Sequence, residues 1–157
     1  MNNLILSLVA GLGATLAIGV LSYAEVSLTE VVLLMAPFGA TAVLVFGVPS
    51  SPLAQPKNVI IGHCITASIG IAFSQYVEIT PITLAIATGL GVSAMLITKT
   101  THPPAGANPI LIMASGQGWS FLFTPVLIGA VVIVLVGKAL QLLQSQYLTP
   151  RLNGQKT

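Results

Sequence analysis

Two histidines, one cysteine, three glutamates and no aspartate make up the acid, base, nucleophile and metal-ligand chemistry of this 157-residue chain. His102 stands among three prolines in THPPAGANPILI (Thr101–Ile112), with Lys99 just before it; His63 sits beside Cys64 inside an apolar run. There is no H-E-x-x-H zinc spacing, no paired carboxylate and, without aspartate, no Ser/His/Asp set. These residues therefore predict no enzyme, no metal and no cofactor. A histidine and a lysine beside a helix-breaking stretch suit attraction of an anion or proton-linked gating in a membrane. Each also has a plain role. Lys99 serves as an interface lysine, His102 as a backbone cap, His63 as a hydrogen-bonded packing residue and Cys64 as a small buried thiol.

The break has a twin. PFGATAVLV (Pro37–Val45) aligns with PAGANPILI (Pro104–Ile112), sharing proline, glycine, alanine and leucine, with Thr41 opposite Asn108. Further on, SPLAQP (Ser51–Pro56) and SFLFTP (Ser120–Pro125) share S-x-L-x-x-P. Such self-similarity marks an internal repeat. His102 and Lys99 have no polar counterpart, since Met35 and Val32 stand in their places. Asn108 followed by Pro109 reads as a helix cap and first helical position, and the twin helix is expected to start near Gly39, Ala40 and Thr41. Two such N-termini facing one point would offer free N–H groups and positive dipole ends to an anion.

The candidate anion ligands are therefore Gly39, Ala40, Thr41, Gly106, Ala107 and Asn108. Candidates for the pathway or its gating are His102, Lys99 and His63, with Ser50, Ser51, Gln55 and Lys57 at a polar mouth. Desolvating an ion fully costs tens of kcal/mol. Four hydrogen bonds to a charged group return roughly 8 kcal/mol, and two dipole ends add about 1–4. A small, partly hydrated monovalent anion suits such a site.

Elements that position these residues must lie in a bilayer. The chain is 55% hydrophobic and 5% charged, with a net charge of +2, whereas soluble domains carry about 25% charged residues. So few basic groups also exclude a nucleic-acid surface. Apolar segments run at about 4–22, 28–48, 58–77, 81–98, 105–116 and 120–144. A crossing takes about 20 residues, so the fifth, with a helical part from Pro109 to Gly116 about 12 Å long, reaches only partway. The N-terminus lacks a basic leader region and reads as a retained span. With the first span starting inside, Glu25, Glu30 and Glu78 fall outside, while Lys57, Lys99, Lys138, Arg151 and Lys156 fall inside. The reading is an all-α membrane protein of six membrane elements, arranged as two inverted three-helix repeats (about 1–78 and 79–148) with short half-helices at the Pro/Gly breaks. A polar cytoplasmic tail follows at 149–157. The expected setting is a bacterial plasma membrane with both termini cytoplasmic. So little protein per crossing favours a homo-oligomer.

PSSPLAQPKNVIIGH (49–63) followed by THPPAGANP (101–109) resembles the HPP family of small integral membrane proteins, named for the motif that here is His102-Pro103-Pro104. The resemblance extends over roughly residues 30–130. Cyanobacterial and chloroplast members are associated with nitrite transport, so it implies a nitrite-permeable membrane protein. The family is usually described with four membrane helices, against six elements here, because half-length helices escape hydropathy windows. The rival expectation is an accessory or anion-sensing subunit that does not transport.

Overall fold

A computed structural model describes residues 3–28 and 31–148. Glu30 and the tail 149–157, with Arg151 and Lys156, lie outside the described residues. Regular structure among the described residues is helical throughout, in the order long, short, long, long, short, long. The long helices are α1 (Asn3–Ser27), α3 (Pro56–Tyr76), α4 (Pro81–Ile97) and α6 (Ile128–Leu143). Between them stand two short ones. The first is α2 (Pro37–Ala42), which widens into a π-helical turn at Val43–Gly47; the second is α5 (Asn108–Ser115), which follows a 3-10 turn at Pro103–Ala107. Four long helices and two short ones thus make up the α-helices of the described residues. By length and composition, α1, α3 and the stretch Leu122–Gln146 that contains α6 can cross a membrane.

The helix ends obey local chemistry. Thr80 and Thr83 form a reciprocal capping box ahead of α4, with Pro81 in the first turn where its missing N–H costs nothing. Helix α4 closes in a left-handed cap: Lys99 has φ 54°, its N–H reaches Leu96 O (3.2 Å), and Thr100 N–H reaches Met95 O (2.9 Å). Helix α5 ends the same way on Gly116, with φ 65°. This is the Schellman geometry, which ordinarily selects glycine.

The second apolar segment, 28–48, is helical only in its later part, as the break expected there requires. Residues 31–35 have no regular secondary structure, and the helix starts only at Pro37. The cause is Glu25, whose carboxylate at the end of α1 accepts the N–H groups of Leu33 (2.8 Å) and Leu34 (2.7 Å). Charge-assisted bonds satisfy the backbone there without a helix. The sixth segment is likewise interrupted, at Thr124 (φ −130°, ψ 118°) just before Pro125, within the SFLFTP motif.

Helix α3 is the centre of the molecule, packed against α4, α5, α6 and the Pro103–Ala107 turn. Close approach depends on glycine: a Cβ on Gly70 would stand 2.8 Å from Pro109 Cα, and one on Gly62 would stand 2.9 Å from Thr100 O. On the other side, α1 lies against α6 and the turn after α2. Its buried residues are Gly13, Ala17 and Leu21, a narrow i, i+4 stripe. Leu4, Leu8, Leu12 and Leu16 remain exposed, as a lipid-facing surface would be.

Candidate functional site

Where the two breaks meet α3, five polar side chains are fully buried: Thr41, His63, Thr66, His102 and Asn108. Buried polar groups must find partners, and here they find one another. Thr41 Oγ1 lies 2.8 Å from His63 Nε2 and 3.0 Å from His102 Nε2. On its other nitrogen, His63 Nδ1 lies 3.0 Å from Asn108 Nδ2, which also donates to Thr66 Oγ1 (3.0 Å) and to the His63 carbonyl (3.1 Å). His102 Nδ1 lies 2.8 Å from the Leu53 carbonyl. The two imidazole centroids are 5.0 Å apart, and the Phe38 ring stands edge-on to His63 at 5.4 Å. Thr41 and Asn108, matched in the two similar stretches, thus grip one imidazole from its opposite nitrogens.

The proton positions follow from the acceptors. A carbonyl only accepts, so His102 carries its proton on Nδ1, and with the ring uncharged its Nε2 accepts. Thr41 must then donate to His102, because its other acceptor, the Pro37 carbonyl at 3.2 Å, would leave that nitrogen unpaired. His63 in turn donates from Nε2 to Thr41 and accepts at Nδ1 from Asn108. Thr66 passes its own proton to Gly62 O (2.9 Å). Every group is then satisfied in a single sense except Asn108 Oδ1, a buried acceptor with no partner among the described residues.

The SPLAQP loop positions the His102 end. Ser51 Oγ accepts the Leu53 N–H (3.2 Å), and Gln55 Nε2 donates to Pro49 O (3.2 Å) and Ser51 O (3.0 Å). Those bonds fold the loop so that Leu53 presents its carbonyl inward. Asn58 at the start of α3 donates to Thr101 O (3.0 Å), fixing the segment before the double proline. Ser50, Lys57 and Lys99 are exposed and lie outside this cluster. Cys64, expected to be buried, is half-buried.

A groove of about 400 Å³ opens on the other face of the two breaks. Ala36, Pro37 and Ala40 line it from α2, and Pro103, Pro104, Ala107, Ile110 and Leu111 line it from the second break. The matched pairs Pro37/Pro104 and Ala40/Ala107 therefore both face it. Of the other expected ligands, Gly39 lines a separate groove between α1 and α2, and Gly106 has open space at its Cβ position. Thr41 and Asn108 are turned to His63 instead. Asn108 is already helical, with φ −60° and ψ −48°. Ala107, with no side-chain bond, holds the cap position, so the expected Asn108 cap does not form. Free N–H groups are also scarcer than two helix starts imply. Phe38 N–H is spent on Met35 O (3.0 Å), Gly39 N–H on Ala36 O (3.1 Å) and Ala105 N–H on His102 O (3.0 Å), and the prolines have none.

Thr66 and the bridging role of Thr41 were not singled out from the sequence. Thr66 lies three residues after His63, on the same face of α3, which is the signal that marks it.

Comparison with known proteins places this architecture. Two transmembrane proteins of Dictyostelium discoideum are each 35% identical to it over 128 residues, covering 76% of this chain. The chain spans under half of those relatives, 41% of one and 45% of the other. No solved structure matches it. The HPP transmembrane-region model matches residues 2–149, so this multi-pass integral membrane chain belongs to the HPP transmembrane family.

Proposed function

We propose that the protein is a permease for small monovalent anions, nitrite foremost. The observation that carries this reading is the groove of about 400 Å³, onto which the first turns of both short helical elements open. Helix starts are positive ends, and among the described residues no carboxylate lines the groove to oppose them. Because the N–H groups of Phe38, Gly39 and Ala105 at the two helix starts are already bonded, an anion there would be held chiefly by the dipole field and by water it retains. Loose holding is what a pathway needs in order to release its ion.

The same reading takes the two halves as inverted repeats meeting near the bilayer midplane. Its support is the repeated long, short, long order, the shared groove positions Pro37/Pro104 and Ala40/Ala107, and the shared hold of Thr41 and Asn108 on His63. Both termini are assigned to the cytoplasmic side of a bacterial plasma membrane. The protein is read as a homo-oligomer without enzymatic activity.

The test is anion flux into liposomes holding the purified protein, with nitrite, nitrate, formate and chloride compared. Nitrite flux is expected. Ala40→Leu and Ala107→Leu, at exposed groove positions, should abolish it without unfolding the protein. Absence of any protein-dependent flux in the unaltered protein would end the permease reading in favour of an accessory subunit. A C-terminal tag reachable only from outside would overturn the orientation.

A further inference from the structure

We propose that His63, Thr41 and His102 form a one-proton site that takes up a proton together with the permeating anion. The proposal rests on the permease reading and adds the coupling ion to it. Two observations carry it. The first is the bridge: a single hydroxyl joins two fully buried imidazoles at 2.8 and 3.0 Å. The second is Asn108 Oδ1, the buried acceptor without a partner among the described residues.

An arriving proton has one place to bind. His102 Nδ1 already carries a proton, and its Nε2 is engaged by Thr41; the lone pair at His63 Nδ1 faces only an amide whose orientation can reverse. When His63 Nδ1 gains a proton, two donors confront each other at 3.0 Å. Asn108 then turns its amide, giving up its bonds to the His63 carbonyl and Thr66; its oxygen accepts the new N–H, and the Thr66 hydroxyl rotates to donate to it. The charge can move on without further atoms. His63 Nε2–H passes its proton to Thr41 Oγ1, and Thr41 Oγ1–H passes its own to His102 Nε2. His63 is left neutral with its proton on Nδ1, and His102 becomes the cation. Reversal returns the proton to the side it came from or, with the other half-helix exposed, releases it across the membrane.

The site holds one proton and not two, since imidazolium rings with centroids 5.0 Å apart repel strongly where water is excluded. Among the described residues, the surrounding elements offer no anion to offset a second charge. The α2 and α5 segments carry no titratable side chain; besides His63, α3 carries Lys57 and Tyr76, both exposed, and Cys64; α4 carries only Lys99 beyond its end, also exposed; α6 carries Lys138, bonded to Gln141 at 3.4 Å. Of the described carboxylates, Glu25 is held by Leu33 and Leu34, and Glu78 is exposed between α3 and α4. The need for a proton is set by the groove. Its walls are alanine, proline, leucine and isoleucine, no charged side chain among the described residues lines it, and a bare anion pays a large desolvation cost in such surroundings. Moving with a proton makes the step neutral.

The experiment uses liposomes with a trapped pH dye, nitrite outside, and the membrane potential held at zero by potassium and valinomycin; protein-free vesicles subtract the leak of nitrous acid. In the unaltered protein, nitrite uptake should acidify the lumen by one proton per anion. Thr41→Val, which keeps the shape and removes the bridge, should bring that ratio to near zero while a voltage still drives nitrite inward, and Thr41→Ser should restore the ratio. Uptake that follows voltage and leaves the lumen pH unchanged would overturn the proton site and leave the permease standing, whereas no nitrite movement would overturn both. Imidazole nitrogen NMR examines the site without transport. It should show His102 protonated on Nδ1 and His63 on Nε2, and a single proton taken up by the pair on acidification. Two separate uptakes, or none, would refute the proposal.

Discussion

At the scale of single residues, Asn108 shows how a motif position can be read correctly as special and wrongly as to purpose. An asparagine before a proline is the signature of a cap, yet the preceding 3-10 turn moves the helix start back, so its amide is free to reach α3. Asn108→Leu, similar in volume, would strand His63 Nδ1 and Thr66 Oγ1. Losing one partner of a buried bond costs about 1–3 kcal/mol, so the free energy of unfolding in detergent should fall by that amount and the thermal midpoint should fall with it; an unchanged midpoint would mean the bonds carry no stability. Lys99 illustrates the opposite case. Its charge suggested attraction of anions, but its backbone sits at φ 54°, in the left-handed cap of α4. A non-glycine residue there costs on the order of 1 kcal/mol. Lys99→Gly should therefore stabilise the protein by about that much and leave anion flux unchanged, while a fall in flux would restore a role to the charge.

The elements were legible in the sequence where composition alone decides them, and obscure where one side chain decides. Three of the long helices, α1, α3 and α4, follow the apolar segments within a few residues, and the α4 start is written in its Thr-Pro-x-Thr pattern. The late start of the second helix was legible in Pro37 and Gly39, but what holds the chain before it was not, because hydropathy counts Val31 to Met35 as merely apolar and cannot see Glu25 claiming the N–H groups of Leu33 and Leu34. The breaks were legible because proline and glycine act locally. Their meeting around His63 was not, because it depends on how closely α3 approaches both. Glu25→Leu removes two charge-assisted bonds from a half-buried carboxylate and should cost about 2–4 kcal/mol. Amide hydrogen exchange at Leu33 and Leu34 should rise sharply in that variant, with exchange across α3 unaffected. Unchanged protection at those two amides would show that the segment before α2 is held by packing instead.

At the scale of the whole molecule, the groove poses a problem of enclosure. Ala36, Ala40, Pro103, Ala107 and Ile110 are all exposed in the single chain, so in isolation the proposed pathway has one open side. Lipid tails cannot wall an ion path, since a charge beside hydrocarbon is costly. A second copy can. The outer face of α1 is a different matter: Leu12 is 68% exposed, on a helix whose leucines suit contact with lipid on every side but one. Cysteine cross-linking in membranes separates these surfaces, in a Cys64→Ser background so that the introduced thiol stands alone. Ile110→Cys, on the groove edge and 45% exposed, should form disulfide-linked dimers on mild oxidation, and Leu12→Cys should remain monomeric. The reverse pattern would place the contact on α1 and leave the groove to lipid. An anion path through the groove would then have no wall, and the permease would have to run through the interior of a single chain, past His63 and His102.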